Sequence, residues 1–188
     1  QRPGRPASVR DAGHRRRHAV MSRPIALTCG EPAGVGAEIA VKARIALAGG
    51  PGFFWIGDPS HLPHGTPFQV IDGPAETHRV APGVLPVLAH DFPAPCYPGQ
   101  PGANNAQAVI DVIARAVALT RSGEAAAVCT LPINKKVLID GAGFAFPGHT
   151  EYLAHLAGVS RVVMMLACNE LRVVPATIHI ALSQVSTV

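Results

Sequence analysis

The chain has 188 residues, 48% of them hydrophobic, and a formal charge of +4; this suffices for one domain of ordinary size with its own core, so neither a disulfide nor a metal is needed merely to fold. Residues 1–20 hold six Arg and one Asp, which leaves the remainder of the chain at −1; a nucleic-acid partner, which calls for a basic folded face, is not expected. No apolar run approaches the length of a membrane span and no signal-peptide core is present, so no membrane partner is expected either.

Taken in order, residues 1–20 are rich in Arg, Pro and Gly without apolar periodicity and read as a disordered basic extension. Such a segment suits an organellar leader; the preferred reading places the native start at Met21, directly ahead of a clean strand. Residues 21–188 form the folded part. Ile25–Cys29 is a short apolar run, followed by Gly30-Glu31-Pro32-Ala33-Gly34-Val35-Gly36 and an Ala-rich segment to about Ala48, which together read as strand, glycine-rich loop and helix. The loop lacks the Gly-Lys-Ser/Thr ending of a nucleotide P-loop and does not match G-x-G-x-x-G. Phosphate binding and a tight connection whose glycines permit close packing both stay open.

Phe53–Gly57 reads as a second strand. The Pro- and Gly-rich region from His61 to Gly102 carries short apolar runs, Phe68–Ile71 and Val84–Leu88, which read as short strands in a loop-rich layer. Its histidines, His61, His64, His78 and His90, show no metal-ligand spacing and default to the surface. Ala106, Val109, Ile110, Ile113 and Val117 form one apolar stripe on a helix that ends at Arg121-Ser122-Gly123. A buried strand over 125–130 then completes successive β-α-β units, which favours an α/β fold with a mostly parallel sheet.

Pro147-Gly148 set a turn before His149 and Thr150, with Thr150 as the cap of a short helix from about Glu151 to Gly158. An imidazole and a hydroxyl at a helix N-terminus make a receptor for an anionic or hydroxylated ligand; a purely capping role for His149 stays open. Val162–Ala167 and Leu171–Ile180 read as two strands of an antiparallel hairpin turned at Asn169-Glu170 and attached to the sheet, with Pro175 at an edge. His179, between two isoleucines, reads from its neighbours as a core residue. Cys29, Cys129 and Cys168 lie in or at the ends of these strands as small buried hydrophobes, and with Cys96 they form no C-x-x-C pair. The chain stops without a closing helix, so it reads as the N-terminal part of something longer.

Together, GEPAGVG at 30–36, LPINKK at 131–136, AGFAFPGHTEYLAHLAG at 142–158 and VVMMLACNELRVVPATIHIAL at 162–182 resemble the 4-hydroxythreonine-4-phosphate dehydrogenase family of pyridoxal phosphate biosynthesis. The resemblance spans Arg23 to Val188, with PGHTE and the later ATxH strand as its most specific parts. It implies a fold like that of isocitrate and isopropylmalate dehydrogenases, two α/β/α lobes about a cleft, in truncated form. It also implies a cytoplasmic homodimer with shared active sites. The implied reaction is NAD- or NADP-dependent oxidation of a small phosphorylated hydroxy-amino acid, 4-phosphooxy-L-threonine, followed by loss of carbon dioxide to give 3-amino-2-oxopropyl phosphate, assisted by a divalent metal (Zn, Mg or Co).

By position, the resemblance makes His149 and Thr150 substrate contacts and His179 the first metal-binding histidine; Asn134 and Lys135 are further substrate-binding candidates. The other two metal ligands, further substrate-binding residues and much of the dinucleotide site would lie beyond Val188. A single imidazole does not make a catalytic metal site, so the 188-residue polypeptide alone is expected to be inert. Asn134 stands where some family members carry histidine, which keeps open a related dehydrogenase acting on phosphothreonate or phosphoerythronate. A non-catalytic α/β binding domain with a basic arm is the alternative of another class.

Overall fold

A computed structural model describes residues 23–178 and 180–187. These fall into two compact units, one ending at Ala145 and one starting at Phe146. The first unit is built on five strands: β1 (Ile25–Thr28), β2 (Phe53–Gly57), β3 (Phe68–Val70), β4 (Leu85–Ala89) and β5 (Val128–Cys129). All pair in parallel, in the order β3-β4-β2-β1-β5. Three helices accompany them, α1 (Gly36–Ala46), α2 (Ala106–Arg121) and α3 (Lys135–Ala142).

The sequence explains the sheet directly. A parallel sheet is covered on both faces, so its inner strands are apolar at consecutive positions rather than at alternate ones. Phe53–Gly57 is buried throughout, and Phe54, Trp55, Ile56, Leu85 and Val87 form the centre of the core. Each such side chain contributes about 1.5–3 kcal/mol by leaving water. The expected stripe on α2 is present: Ala106, Val109, Val112, Ile113, Ala116 and Val117 are buried, and the helix packs on β1, β2 and β5. Gly123, at φ 82°, follows its last turn.

The short runs expected in a loop-rich layer belong instead to the main sheet. β4 lies between β3 and β2 and is buried along most of its length. Pro86 is tolerated there because the β2 register opens only at Val87. The strand expected over 125–130 is ordered as a strand only at Val128–Cys129, the two residues in register with β1, while Ala126 and Ala127 bond to Pro24 and Ala26 beside it. The helix α3 is an element beyond those expected, although its signals are local: Asn134 caps its start and Gly143, at φ 62°, its end.

The second unit contains helix α4 (His149–Ala157) and a two-stranded antiparallel sheet of β6 (Leu166–Ala167) and β7 (Arg172–Val173). The hairpin exists, but as a sheet of its own and much shorter than the runs Val162–Ala167 and Leu171–Ile180 suggested. Nor is it buried: Val163 is 71% and Leu166 61% exposed. Apolar composition marks a segment able to be buried, whereas burial requires a facing layer, which these residues lack in the described unit. The basic extension at residues 1–20 lies outside the described residues.

Candidate functional site

The chain leaves β1 towards β2 on one side and returns after β4 to β5 on the other side of β1. Parallel crossovers are right-handed, so α1 and α2 cover opposite faces and the loops after β1 and β5 meet at the carboxyl ends of the strands, the switch point at which the ligand crevice of an open α/β sheet forms. Two hydrogen bonds fix these loops to each other. Glu31 N donates to Pro132 O at 2.8 Å, and Leu131 N donates to the Oγ1 of fully buried Thr28 at 3.2 Å.

The glycine-rich loop is explained by this approach. Gly30 has φ 70°, and a Cβ there would lie 2.5 Å from Pro132 O; a Cβ on Gly36 would lie 2.3 Å from Cys29 O. Of the two open readings, close packing is the one that the geometry accounts for. Beside this contact stand the two candidates of the PINKK segment. Asn134 Oδ1 accepts from Val137 N at 3.2 Å and so caps α3, which leaves its amide nitrogen as the group that can donate to a ligand. Lys135 opens α3 and is exposed, while Lys136 pairs with Asp140 at 2.6 Å.

Sequence reasoning assigns Glu31 no role, yet it is the buried carboxyl of this crevice, 8% exposed. Its Oε1 accepts from Ala33 N at 3.1 Å; burial holds its pKa above the ordinary range, partly opposed by that hydrogen bond. The one signal in the sequence is its position just past a buried strand. Asn105, also buried, grips Ala94 from both sides, with Oδ1 accepting from Ala94 N at 3.1 Å and Nδ2 donating to Ala94 O at 3.0 Å. It thereby ties the loop after β4 to the start of α2.

Two of the four histidines assigned to the surface are half-buried. The His61 ring meets Phe92 edge-on at 4.9 Å, and His90 meets the same ring at 5.8 Å. Burial lowers both pKa values; an aromatic ring within the Pro-rich region gives them a surface to pack on. The cysteines also divide differently from expectation: Cys29 is buried, but Cys129 and Cys168 are exposed. β5 pairs in register with β1 only, and the hairpin carries no covering layer in its unit.

In the second unit, Gly148 rather than Thr150 occupies the cap position of α4, with no side-chain cap bond. Extended backbone at Gly148 starts the helix earlier than expected, so His149 and Thr150 are its first two residues. The aromatic rings of Phe146 and Tyr152, 5.0 Å apart, brace this entry from both sides of the turn. Thr150 and Glu151 line a cavity of 260 Å³ together with Val162–Met164 and Val174–Ile178. His149, half-buried, is not among its lining residues. The cavity thus joins Thr150 to the segment leading into His179, while His179 itself lies outside the described residues. No group of three His, Cys, Asp or Glu side chains able to hold a metal occurs among the described residues, so they do not by themselves fit a metal centre.

Residues 54–188 match the family model for the pyridoxal phosphate biosynthetic protein PdxA. The chain belongs to this family. It is 62% identical over 168 residues to a 4-hydroxythreonine-4-phosphate dehydrogenase of Paracoccus denitrificans, covering 87% of this chain and 51% of the relative. It is 59% identical over 166 residues to the enzyme of the same name from Roseobacter denitrificans, over 88% of this chain and 51% of the relative. The crystal structure of 4-hydroxythreonine-4-phosphate dehydrogenase from Klebsiella pneumoniae superposes with a TM-score of 0.77 at 34% identity, covering 86% of this chain and 53% of that one. The α/β architecture expected from the sequence is therefore that of the family, and the chain spans about half the length of the relatives it matches. No described helix is long and apolar enough to cross a membrane.

Proposed function

We propose that this chain supplies the N-terminal part of a 4-hydroxythreonine-4-phosphate dehydrogenase of pyridoxal phosphate biosynthesis, a cytoplasmic homodimer with shared active sites. The proposed reaction oxidises the secondary alcohol of 4-phosphooxy-L-threonine and releases carbon dioxide to leave 3-amino-2-oxopropyl phosphate. The observation that carries it is the 62% identity with the Paracoccus denitrificans dehydrogenase across 87% of the chain.

The residues support this reading in their chemistry. His149 and Thr150 stand in the first turn of α4, where the positive end of the helix dipole favours an anionic or hydroxylated ligand. The Thr150 hydroxyl borders the 260 Å³ cavity and can accept or donate to a substrate hydroxyl. Asn134 and Lys135, at the start of α3, are the proposed additional substrate contacts, the one through its amide nitrogen and the other through its charge. NAD or NADP, when bound, supplies the hydride acceptor, while His149, Thr150, Asn134 and Lys135 bind and orient the substrate. His179 is proposed as one ligand of a divalent metal (Zn, Mg or Co). With one such ligand the 188-residue chain alone is expected to be inactive.

The test is a steady-state assay of NAD(P)H formation by the protein at the full length of its relatives. 4-Phosphooxy-L-threonine should be the preferred substrate over phosphothreonate and phosphoerythronate. Preference for either of the latter would overturn the substrate assignment, and absence of nicotinamide reduction with all three would overturn the dehydrogenase reading.

A further inference from the structure

The loop that leaves the carboxyl end of β4 and runs to α2 is held down at three places. Asn105 clamps Ala94 through two hydrogen bonds, Gly99 N donates to Ala33 O at 2.8 Å, and Phe92 packs against the core. The third place also seats two imidazoles. The rings of His61, in the turn after β2, and of His90, just past β4, meet the Phe92 ring edge-on, at 4.9 Å and 72° and at 5.8 Å and 73°. Both histidines are half-buried, so the ring that covers them also keeps water from them. Beside His61 opens a cavity of 340 Å³ that Gly34 and Glu38 line from the β1 side, His64 from the turn after β2, and Cys96 from the loop itself.

A neutral imidazole tolerates this packing, whereas its cation has to give up water to keep it. The charged groups around the two rings do not remove that penalty. Burial outweighs Asp58, which caps the turn carrying His61, and the backbone of Ala94, and holds the His61 pKa below its ordinary value. At His90 burial is again the largest cause; Arg115 on α2 adds to it, against Asp111 on the same helix and Asp91 in the loop. Glu38, His64 and Cys96 are the other titratable groups lining the cavity at His61.

We propose that His61 and His90, seated on Phe92, form a proton-operated latch that holds the loop after β4 closed at neutral pH and releases it as the medium turns acid. Lifting Phe92 returns both rings to water, where a histidine titrates at about 6.5. The open loop therefore binds more protons than the closed one. Closure is fully favoured above that value and weakens as pH falls from it through the lower values of the closed state. The loop carries Cys96 away with it, so the 340 Å³ cavity loses one wall, while the buried strand β2 keeps its place in the sheet. The latch is independent of the reaction proposed above.

The experiment is hydrogen exchange read by mass spectrometry on the protein at the full length of its relatives. Exchange is compared at about pH 7.5 and about pH 5.5, on either side of the ordinary histidine value, with the intrinsic effect of pH on exchange removed. The amides of Ala94 and Gly99 are bonded across the loop, so segment 91–99 reports closure and β2 reports the sheet. Protection of 91–99 should fall by about tenfold or more between the two conditions, within the limit of about tenfold per pH unit for each extra proton bound by the open loop. Protection of β2 should hold. A variant carrying both His61→Phe and His90→Phe keeps aromatic rings on Phe92 and removes both titrations, and its fall should shrink to less than about threefold. Should that variant fail to fold, each single substitution carries the comparison, with a fall smaller than the parent's. Protection of 91–99 that does not change with pH, an equal loss in β2, or a fall in the variants as large as the parent's would overturn the inference.

Discussion

Leu131 donates its backbone N–H to the hydroxyl of Thr28 at 3.2 Å across 103 positions of sequence. The contact joins the ends of β1 and β5 where the crevice opens, and Thr28 is fully buried. Replacing Thr28 by Val keeps the shape and removes the acceptor, so Leu131 N loses its partner in a dry site. A loss of about 1–3 kcal/mol is expected. Thr28→Ser should retain most of the stability. Urea denaturation of the three proteins checks this, and equal midpoints for Val and Ser would count against the role given to the hydroxyl.

The close approach of the two loops makes a second prediction. Gly30→Ala would have to hold a left-handed backbone and place a methyl group 2.5 Å from Pro132 O. The loops would have to separate, at a cost of about 1–3 kcal/mol in backbone strain before the lost hydrogen bonds are counted. Thermal melting should show a clear drop. A melting temperature equal to that of the parent would refute the packing explanation of the glycine-rich loop.

Asn134 has a structural role that can be separated from a substrate role. Asn134→Ala removes the cap of α3 and should cost about 1 kcal/mol, whereas Asn134→Asp keeps an oxygen at that position and should cost far less. If the amide nitrogen also contacts substrate, Asn134→Asp in the full-length protein should raise KM while stability is preserved. The pairing of a stability measurement with a KM measurement distinguishes the two roles.

The half-buried histidines contribute to the acid side of the stability profile. Burial is the largest cause of the lowered pKa at His61, opposed by Asp58; at His90 burial is again the largest cause, reinforced by Arg115 and opposed by Asp111 and Asp91. A histidine with a depressed folded pKa contributes stability that is full above its unfolded value. That stability is lost as pH falls from about 6.5 through the folded value. His61→Phe, which keeps the aromatic contact with Phe92, should flatten this fall. A pH profile of melting temperature identical to that of the parent would exclude His61 as a contributor.

At the full length of the relatives, His149→Ala should raise KM for the phosphorylated substrate by about tenfold with a smaller effect on kcat, as expected for lost ground-state binding. His179→Ala should abolish bound metal, measured by elemental analysis, and with it metal-dependent turnover. Unchanged metal content would refute the ligand assignment.

The sequence by itself determined the elements whose signals are local. Continuous apolar residues in Phe53–Gly57 suit a strand covered on both faces, the stripe from Ala106 to Val117 fixes a helix and its buried side, and the PGHTE and ATxH segments carry the family. Asn134 and Gly143 hold local signals for α3 as well, but a short helix between two loops shows too little periodicity to stand out. What only the tertiary structure decided depends on partners distant in the chain. The place of β3 and β4 in the main sheet follows from pairing, not from composition. The exposure of Cys129 and of the Val162–Ala167 run depends on whether a second layer faces them, which apolar character does not encode. The burial of Glu31 is of the same kind: a carboxyl just past a strand reads as an ordinary loop residue until the loop after β4, tied down by Asn105, closes over it and removes its water.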